Sequence, residues 1–162
     1  MRERDSARES GAPGAADRPG HFAYTDMGRA RLDELEAAMR RIEADGVPGD
    51  IVDIGVGRGG SAMFVKGVID ILELTGRSVW VADEFRASPE GGARPWQEAG
   101  TADLLSDLNQ VRDGFERFDL LDDTVRFLQG RPSATLPDAD IDAIALLRIG
   151  PGLGAEAGAA LE

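Results

Sequence analysis

Apolar residues recur at spacings of three and four near the start of the chain. Leu32, Leu35, Met39 and Ile42 line one face of "RARLDELEAAMRRIEADGVPGD", which predicts an amphipathic helix. Gly46 and Pro48 then stop it. The pattern changes at "IVDIGV", a short β-branched apolar run that predicts a buried strand opening into glycines. "SAMFVKGVIDILELTG" predicts a mostly apolar helix closed by Gly76, and "SVWVADEF" a second strand. Residues 86–100 hold three Gly and two Pro and read as a loop. Leu104, Leu108, Val111, Phe115 and Phe118 mark another amphipathic helix, with Gly114 as its weak point. "DDTVRFLQG" and "IDAIALLRIG" predict strands three and four, and "AEAGAALE" the start of a helix. No internal repeat is visible.

Strands alternating with helices imply right-handed βαβ units and a parallel sheet covered on both faces. The expected fold is therefore α/β: a Rossmann-like, doubly wound, mostly parallel sheet with about four recognisable strands. Four strands make half of such a sheet, and little follows the last one to cover its edge. Residues 1–20, "MRERDSARESGAPGAADRPG", have the Arg, Asp, Ser, Gly and Pro content of a disordered leader, which leaves 21–162 as one domain, incomplete at its carboxyl end.

Charge narrows the partners. The chain carries 18 Lys and Arg against 30 Asp and Glu, a net −12, and Lys66 is the single lysine. A phosphate backbone or an anionic membrane needs clustered cations, so neither nucleic acid nor membrane is expected as a partner. The acids are spread over every segment and describe a solvated exterior. Cysteine is absent, which excludes disulfides and thiolate metal sites. No secretory signal or membrane-length apolar run is present, so a cytoplasmic location is the default.

The chemistry concentrates in "GDIVDIGVGRGGSA", residues 49–62. Strand 1 delivers Asp53, Gly55, Gly57, Gly59 and Gly60 into a turn before a helix that starts near Ser61. Glycines let a ligand approach the backbone, and the helix start offers unpaired N–H groups and a positive dipole end. Two cofactor patterns fit. Gly55, Gly57 and Gly60 satisfy the dinucleotide G-x-G-x-x-G; Asp53, Gly55 and Gly57, with Gly59 two residues on, carry D-x-G-x-G, the first motif of class I S-adenosylmethionine-dependent methyltransferases. Asp53 favours the second, because a carboxylate there would meet the cationic amino-acid end of S-adenosylmethionine and gains nothing from a pyrophosphate. Asp83, ending "VWVAD", would accept ribose hydroxyls in either cofactor class. The plainer alternatives are that Asp53 caps the turn and that Asp83 is a solvated strand-end acid.

"RLDELEAAMRRIEADGVPGDIVDIGVGRGGSAMF", "VWVADEF", "LLDDTVRFLQG", "TLP" and "IALLRIG" resemble, in order and spacing, the macrocin O-methyltransferase (TylF-like) family over about residues 27–162. The resemblance implies an S-adenosylmethionine-dependent enzyme that methylates a sugar hydroxyl of a macrolide or related natural product, with a divalent metal, usually magnesium. The sequence also departs from that pattern. Family members read Leu-Arg-Leu-Asp-Gly-Asp after strand 4; here Gly150 stands at the first Asp, a metal ligand, and Gly152 at the second. Glycine offers magnesium no side-chain oxygen. A further Asp-Asp pair of the family would lie beyond residue 162. Ala134 replaces an acid in the family's Ser-Asp-Thr-Leu-Pro, and Gly57 a common Trp.

A metal-free transfer would need a general base. His21, the only histidine, sits at the edge of the leader and reads as solvent-exposed. Asp122 and Asp123 look like a carboxylate pair but suit the turn into strand 3. Tyr24 is read as packing, with a place over a bound ligand as the alternative. Trp80 reads as core, whereas Trp96 in the long loop is equally suited to covering a ligand or anchoring the loop. Two functions follow: an O-methyltransferase whose acceptor is a glycosylated natural product, catalytically impaired where its metal site is altered, or a non-catalytic cofactor- or partner-binding module completed by a second chain or a second copy of itself. A truncated product and NAD-dependent redox chemistry rank behind them.

Overall fold

The computed structural model describes residues 23–86 and 107–150. In chain order the elements are α1 (Arg29–Ala44), β1 (Asp50–Ile54), α2 (Gly60–Ile71), β2 (Val79–Asp83), α3 (Leu108–Arg117), β3 (Val125–Gln129), the single turn α4 (Pro132–Thr135) and β4 (Ile144–Ile149). The strands form one sheet in the order β3-β2-β1-β4, and all three pairings are parallel. The chain steps outward from β1 to β3 and then returns to the far side of β1, so the topological switch point lies between β1 and β4. In open α/β sheets that crevice, at the carboxyl ends of the strands, is where ligands bind. This is the doubly wound α/β architecture expected.

Alternation along the strands sorts the core into two layers. Ile51, Val79, Val81 and Val125 pack with Leu35 and Met39 of α1, Val65 of α2, and Val111 and Phe115 of α3. Val52, Ile54, Trp80 and Ala82 face the other way, against Leu136, Ala139, Ile141 and Leu147. Of the residues expected to line α1, Leu35 and Met39 are buried and Leu32 and Ile42 half-buried. Trp80 is core, as expected, and its indole N–H donates to Asp50 at 2.7 Å.

Some elements end earlier than their patterns suggest. Helix α2 stops at Ile71, not near Gly76, because Glu73 turns to a left-handed φ of 53° and tucks Leu74 into the core. Gly114 is no weak point: it is buried in α3, and a Cβ there would sit 2.3 Å from Met63 Cε and 3.0 Å from Tyr24 Cε1. Strand β4 pairs only with β1 among the described residues, and its Ile144 is half exposed. The leader, His21, Trp96, Leu104, Gly152 and the helix expected in 155–162 lie outside the described residues.

Candidate cofactor site

The glycine motif runs from the carboxyl end of β1 into the start of α2, with Asp83 beside it at the carboxyl end of β2. Gly55, Gly57 and Gly59 have φ of 70°, 56° and 82°, a left-handed backbone that L side chains rarely adopt. Gly59 shows why: it is the residue before α2, and a Cβ there would also sit 2.6 Å from Val111 Cγ1. The turn is held to β2 by Asp83. One Asp83 oxygen accepts the Gly57 N–H at 3.3 Å and the other the Phe85 N–H at 3.1 Å. Asp83 is thus a half-exposed acid beside the loop.

The amino end of α2 is closed from an unexpected direction. The Gly60 N–H donates to the carbonyl of Tyr24 at 3.0 Å, and Arg58 donates to the carbonyl of Ala23 at 3.1 Å. The approach is so close that a Cβ on Gly60 would lie 2.5 Å from the Tyr24 carbonyl. Tyr24 itself is held by an edge-to-face contact with Phe118, 5.4 Å between ring centres, and accepts a hydrogen bond from Arg117 at 3.2 Å. The residues before α1 therefore form a strap across the glycine turn.

Asp53 lies beneath this turn, 1% exposed. One oxygen accepts the Ser61 hydroxyl at 2.6 Å, and the other accepts from Arg148 of β4 at 2.7 Å. Strand register makes the second contact, since Asp53 and Arg148 are partners across β1 and β4. Burial pushes the Asp53 carboxyl above its ordinary range, against the opposing pull of the Arg148 charge and the Ser61 and Arg148 hydrogen bonds. Both oxygens being engaged, Asp53 acts on its surroundings through Ser61 and Arg148.

Beyond Arg148 the two strands nearly touch. The Gly150 N–H donates to the Ile54 carbonyl at 2.6 Å, and a Cβ on Gly150 would lie 2.0 Å from the Gly55 carbonyl oxygen. The structure thus gathers Asp53, Gly55, Gly57, Gly59, Gly60, Ser61 and Asp83 at one edge, with Gly150 beside them. Asp122 and Asp123 lie at the opposite, amino-terminal end of β3. There Asp122 accepts from the Thr124 backbone and hydroxyl and pairs with Lys66 at 2.9 Å. Arg148 and the strap carbonyls were not singled out from sequence. A charged residue inside the apolar "IALLRI" was the available signal for the first; a main-chain carbonyl leaves none.

Comparison with known proteins identifies the family. The family described as Macrocin-O-methyltransferase (TylF) matches residues 2–161. The chain is 44% identical over 136 residues to the 8-demethyl-8-(2,3-dimethoxy-alpha-L-rhamnosyl)-tetracenomycin-C 4'-O-methyltransferase of Streptomyces olivaceus, covering 78% of this chain and 51% of that protein. It is 37% identical over 156 residues to the mycinamicin III 3''-O-methyltransferase of Micromonospora griseorubida, covering 90% and 59%. The solved O-methyltransferase NovP superposes with a TM-score of 0.73 at 34% identity, over 86% of this chain and 60% of that one. The chain thus spans between half and three-fifths of the length of these relatives. Matched along nearly its whole length, the chain belongs to the macrocin O-methyltransferase (TylF) family.

Proposed function

We propose that this chain carries the cofactor half of an S-adenosylmethionine-dependent O-methyltransferase whose acceptor is a sugar hydroxyl of a glycosylated natural product. The relatives named above act on such compounds, and the family supplies the cofactor class. One observation in the structure carries the choice between the two cofactor patterns. A pyrophosphate on G-x-G-x-x-G needs the N–H groups at the start of the helix. Here the Gly60 N–H is already taken by the Tyr24 carbonyl, whose partial negative charge would repel a phosphate. A cofactor that places only an adenosine and an amino acid against this edge meets no such conflict, with Asp83 as acceptor for the ribose hydroxyls.

When bound, S-adenosylmethionine would supply an electrophilic methyl group to the acceptor hydroxyl and leave as a thioether, with the hydroxyl proton going to a base. The contribution of these residues is placement: Asp83 fixes the ribose, the glycine turn admits the chain of the cofactor, and the strap covers the turn. Holding the methyl in line with the acceptor removes much of the entropic part of the barrier.

The described residues do not fit the family's divalent cation. Gly150, at the position of a ligating Asp, brings no oxygen and is pressed against the Gly55 backbone. Among the described residues no group of three His, Cys, Asp or Glu is arranged to hold a metal. No helix among them is long and apolar enough to cross a membrane, and the side of β4 away from β1, unpaired among the described residues, is an edge that a second copy or a partner chain would use.

Calorimetric titration of S-adenosylhomocysteine and of NAD into the chain tests the reading. Saturable binding of the first alone, with or without magnesium, is expected. Binding of NAD with no response to S-adenosylhomocysteine overturns it.

A further inference from the structure

We infer that Arg148 receives the α-carboxylate of the cofactor's amino-acid end, with Asp53 and Ser61 as the residues that aim it. This rests on the cofactor reading above and adds to it the residue that recognises the ligand's charge.

A guanidinium has five N–H donors in a planar fork, and its strongest partners are carboxylates held two-pronged. Asp53 does not take Arg148 in that way: Ser61 donates at 2.6 Å to one Asp53 oxygen, and Arg148 reaches only the other. The Arg148 side chain is 16% exposed and, among the described residues, makes one hydrogen bond, through Nη1. Among the described residues no buried side-chain nitrogen or oxygen lacks a partner. The remaining Arg148 nitrogens have none, so they reach solvent-accessible space. A buried acid thus pins one corner of the guanidinium and leaves the rest open for a second anion.

The location fits that anion. Arg148 is two residues before Gly150, where β4 meets the glycine turn at the switch point. Reading along the sheet from β2 to β1 to β4, the carboxyl edge presents Asp83, then the glycine turn, then Arg148. A ligand laid along this edge with its ribose at Asp83 brings its far end to Arg148. In S-adenosylmethionine and S-adenosylhomocysteine that far end carries a carboxylate. With its own charge neutralised by Arg148, Asp53 sets the guanidinium in place from beneath and is a positioning residue.

The test compares two probes on the full chain by calorimetry. S-adenosylhomocysteine has the amino-acid end; 5′-methylthioadenosine has the same adenosine and thioether without it. Arg148→Lys keeps a cation for Asp53 but has no second edge to offer, and should weaken S-adenosylhomocysteine about tenfold or more while leaving 5′-methylthioadenosine within about twofold. The double variant Arg148→Gln with Asp53→Asn removes both charges, so that no buried carboxylate is left unpaired, and should show the same split. Equal losses for both probes, or no loss for either, overturn the role of Arg148. Wild-type chain that binds both probes with the same affinity overturns it too, while leaving the cofactor reading intact. Wild-type chain that binds neither probe overturns both.

Discussion

The carbonyl of Tyr24 accepts the N–H of Gly60 at 3.0 Å, so a segment that precedes the first helix closes the amino end of the second. The contact leaves no room for a side chain on residue 60. In Gly60→Ala the new methyl would lie 2.5 Å from the Tyr24 carbonyl and 2.8 Å from Thr25 Cβ, and the first of these is backbone that must move as a piece. The strap should lift from the turn at a cost of roughly 1–3 kcal/mol. A lower urea midpoint, with faster amide exchange at residue 60, is the expected result. An unchanged midpoint with residue 60 still protected would show that the strap does not cap the helix.

The same reasoning applies to Gly150 and bears on the metal. Gly150→Asp places a carboxylate at the position where the family resemblance implies a metal-ligating Asp, but its Cβ must pass within 2.0 Å of the Gly55 oxygen. The ends of β1 and β4 then separate, and stability should fall by about 2 kcal/mol or more, as for other overpacked core positions. Gly150→Ala makes the same clash without the carboxylate and should lose a similar amount. Neither variant should bind manganese in an electron-paramagnetic-resonance titration. Micromolar manganese binding by Gly150→Asp alone would show that one carboxylate completes a site that the surrounding residues already hold.

The parallel strands and the two covered faces of the sheet were legible because buried parallel strands write themselves as short β-branched runs such as "IVDI" and "VWVA", separated by helical spacing. Asp53 was legible as part of a motif, but its partner was not. Arg148 lies 95 positions away and meets Asp53 only through the register of β4 on β1, which no local periodicity encodes. Gly114 reads as a flaw in an isolated helix, yet its missing side chain is what admits Met63 and Tyr24. The strap was hidden for a different reason: Ala23 and Tyr24 act through their carbonyls, and main-chain acceptors are the same at every residue.

Asp122 illustrates a local feature that was read correctly and a distant one that was not. It takes the Thr124 N–H at 2.9 Å, as a turn residue should, and it also closes on Lys66, which is 3% exposed and bonded to Asp70. Burial works against the Lys66 charge, but the bonds to Asp70 and Asp122 outweigh it and lift its pKa. Asp122 is opposed by burial too, yet the Thr124 and Lys66 hydrogen bonds hold its carboxyl below the ordinary value of 3.8. A depressed carboxyl contributes stability above its unfolded pKa and loses it as pH falls through the folded one. Asp122→Asn keeps an acceptor for Thr124 and removes only the charge. Because Asp122 is half exposed and Lys66 retains Asp70, the variant should lose roughly 1 kcal/mol at neutral pH. The gap from wild type in thermal midpoint should be level from pH 5 to 8 and close below about pH 4. A gap that stays level through about pH 3, or no gap at neutral pH, would mean that Lys66 does not depend on the Asp122 charge.

Ser61 connects stability to the ligand. It is 1% exposed, and its hydroxyl is the only donor to one oxygen of Asp53 among the described residues. Ser61→Ala leaves that oxygen buried without its hydrogen bond, which costs about 1–3 kcal/mol when nothing rearranges. Arg148 can reduce the cost by turning to grip both Asp53 oxygens, and that would draw its open edge inward. The variant should therefore lose less stability than the bare penalty and bind S-adenosylhomocysteine more weakly, while 5′-methylthioadenosine is held as before. Denaturant midpoints and the two titrations measure both sides. A full stability loss with unchanged affinity for S-adenosylhomocysteine would mean that the guanidinium stays where it is and that Ser61 serves the fold alone.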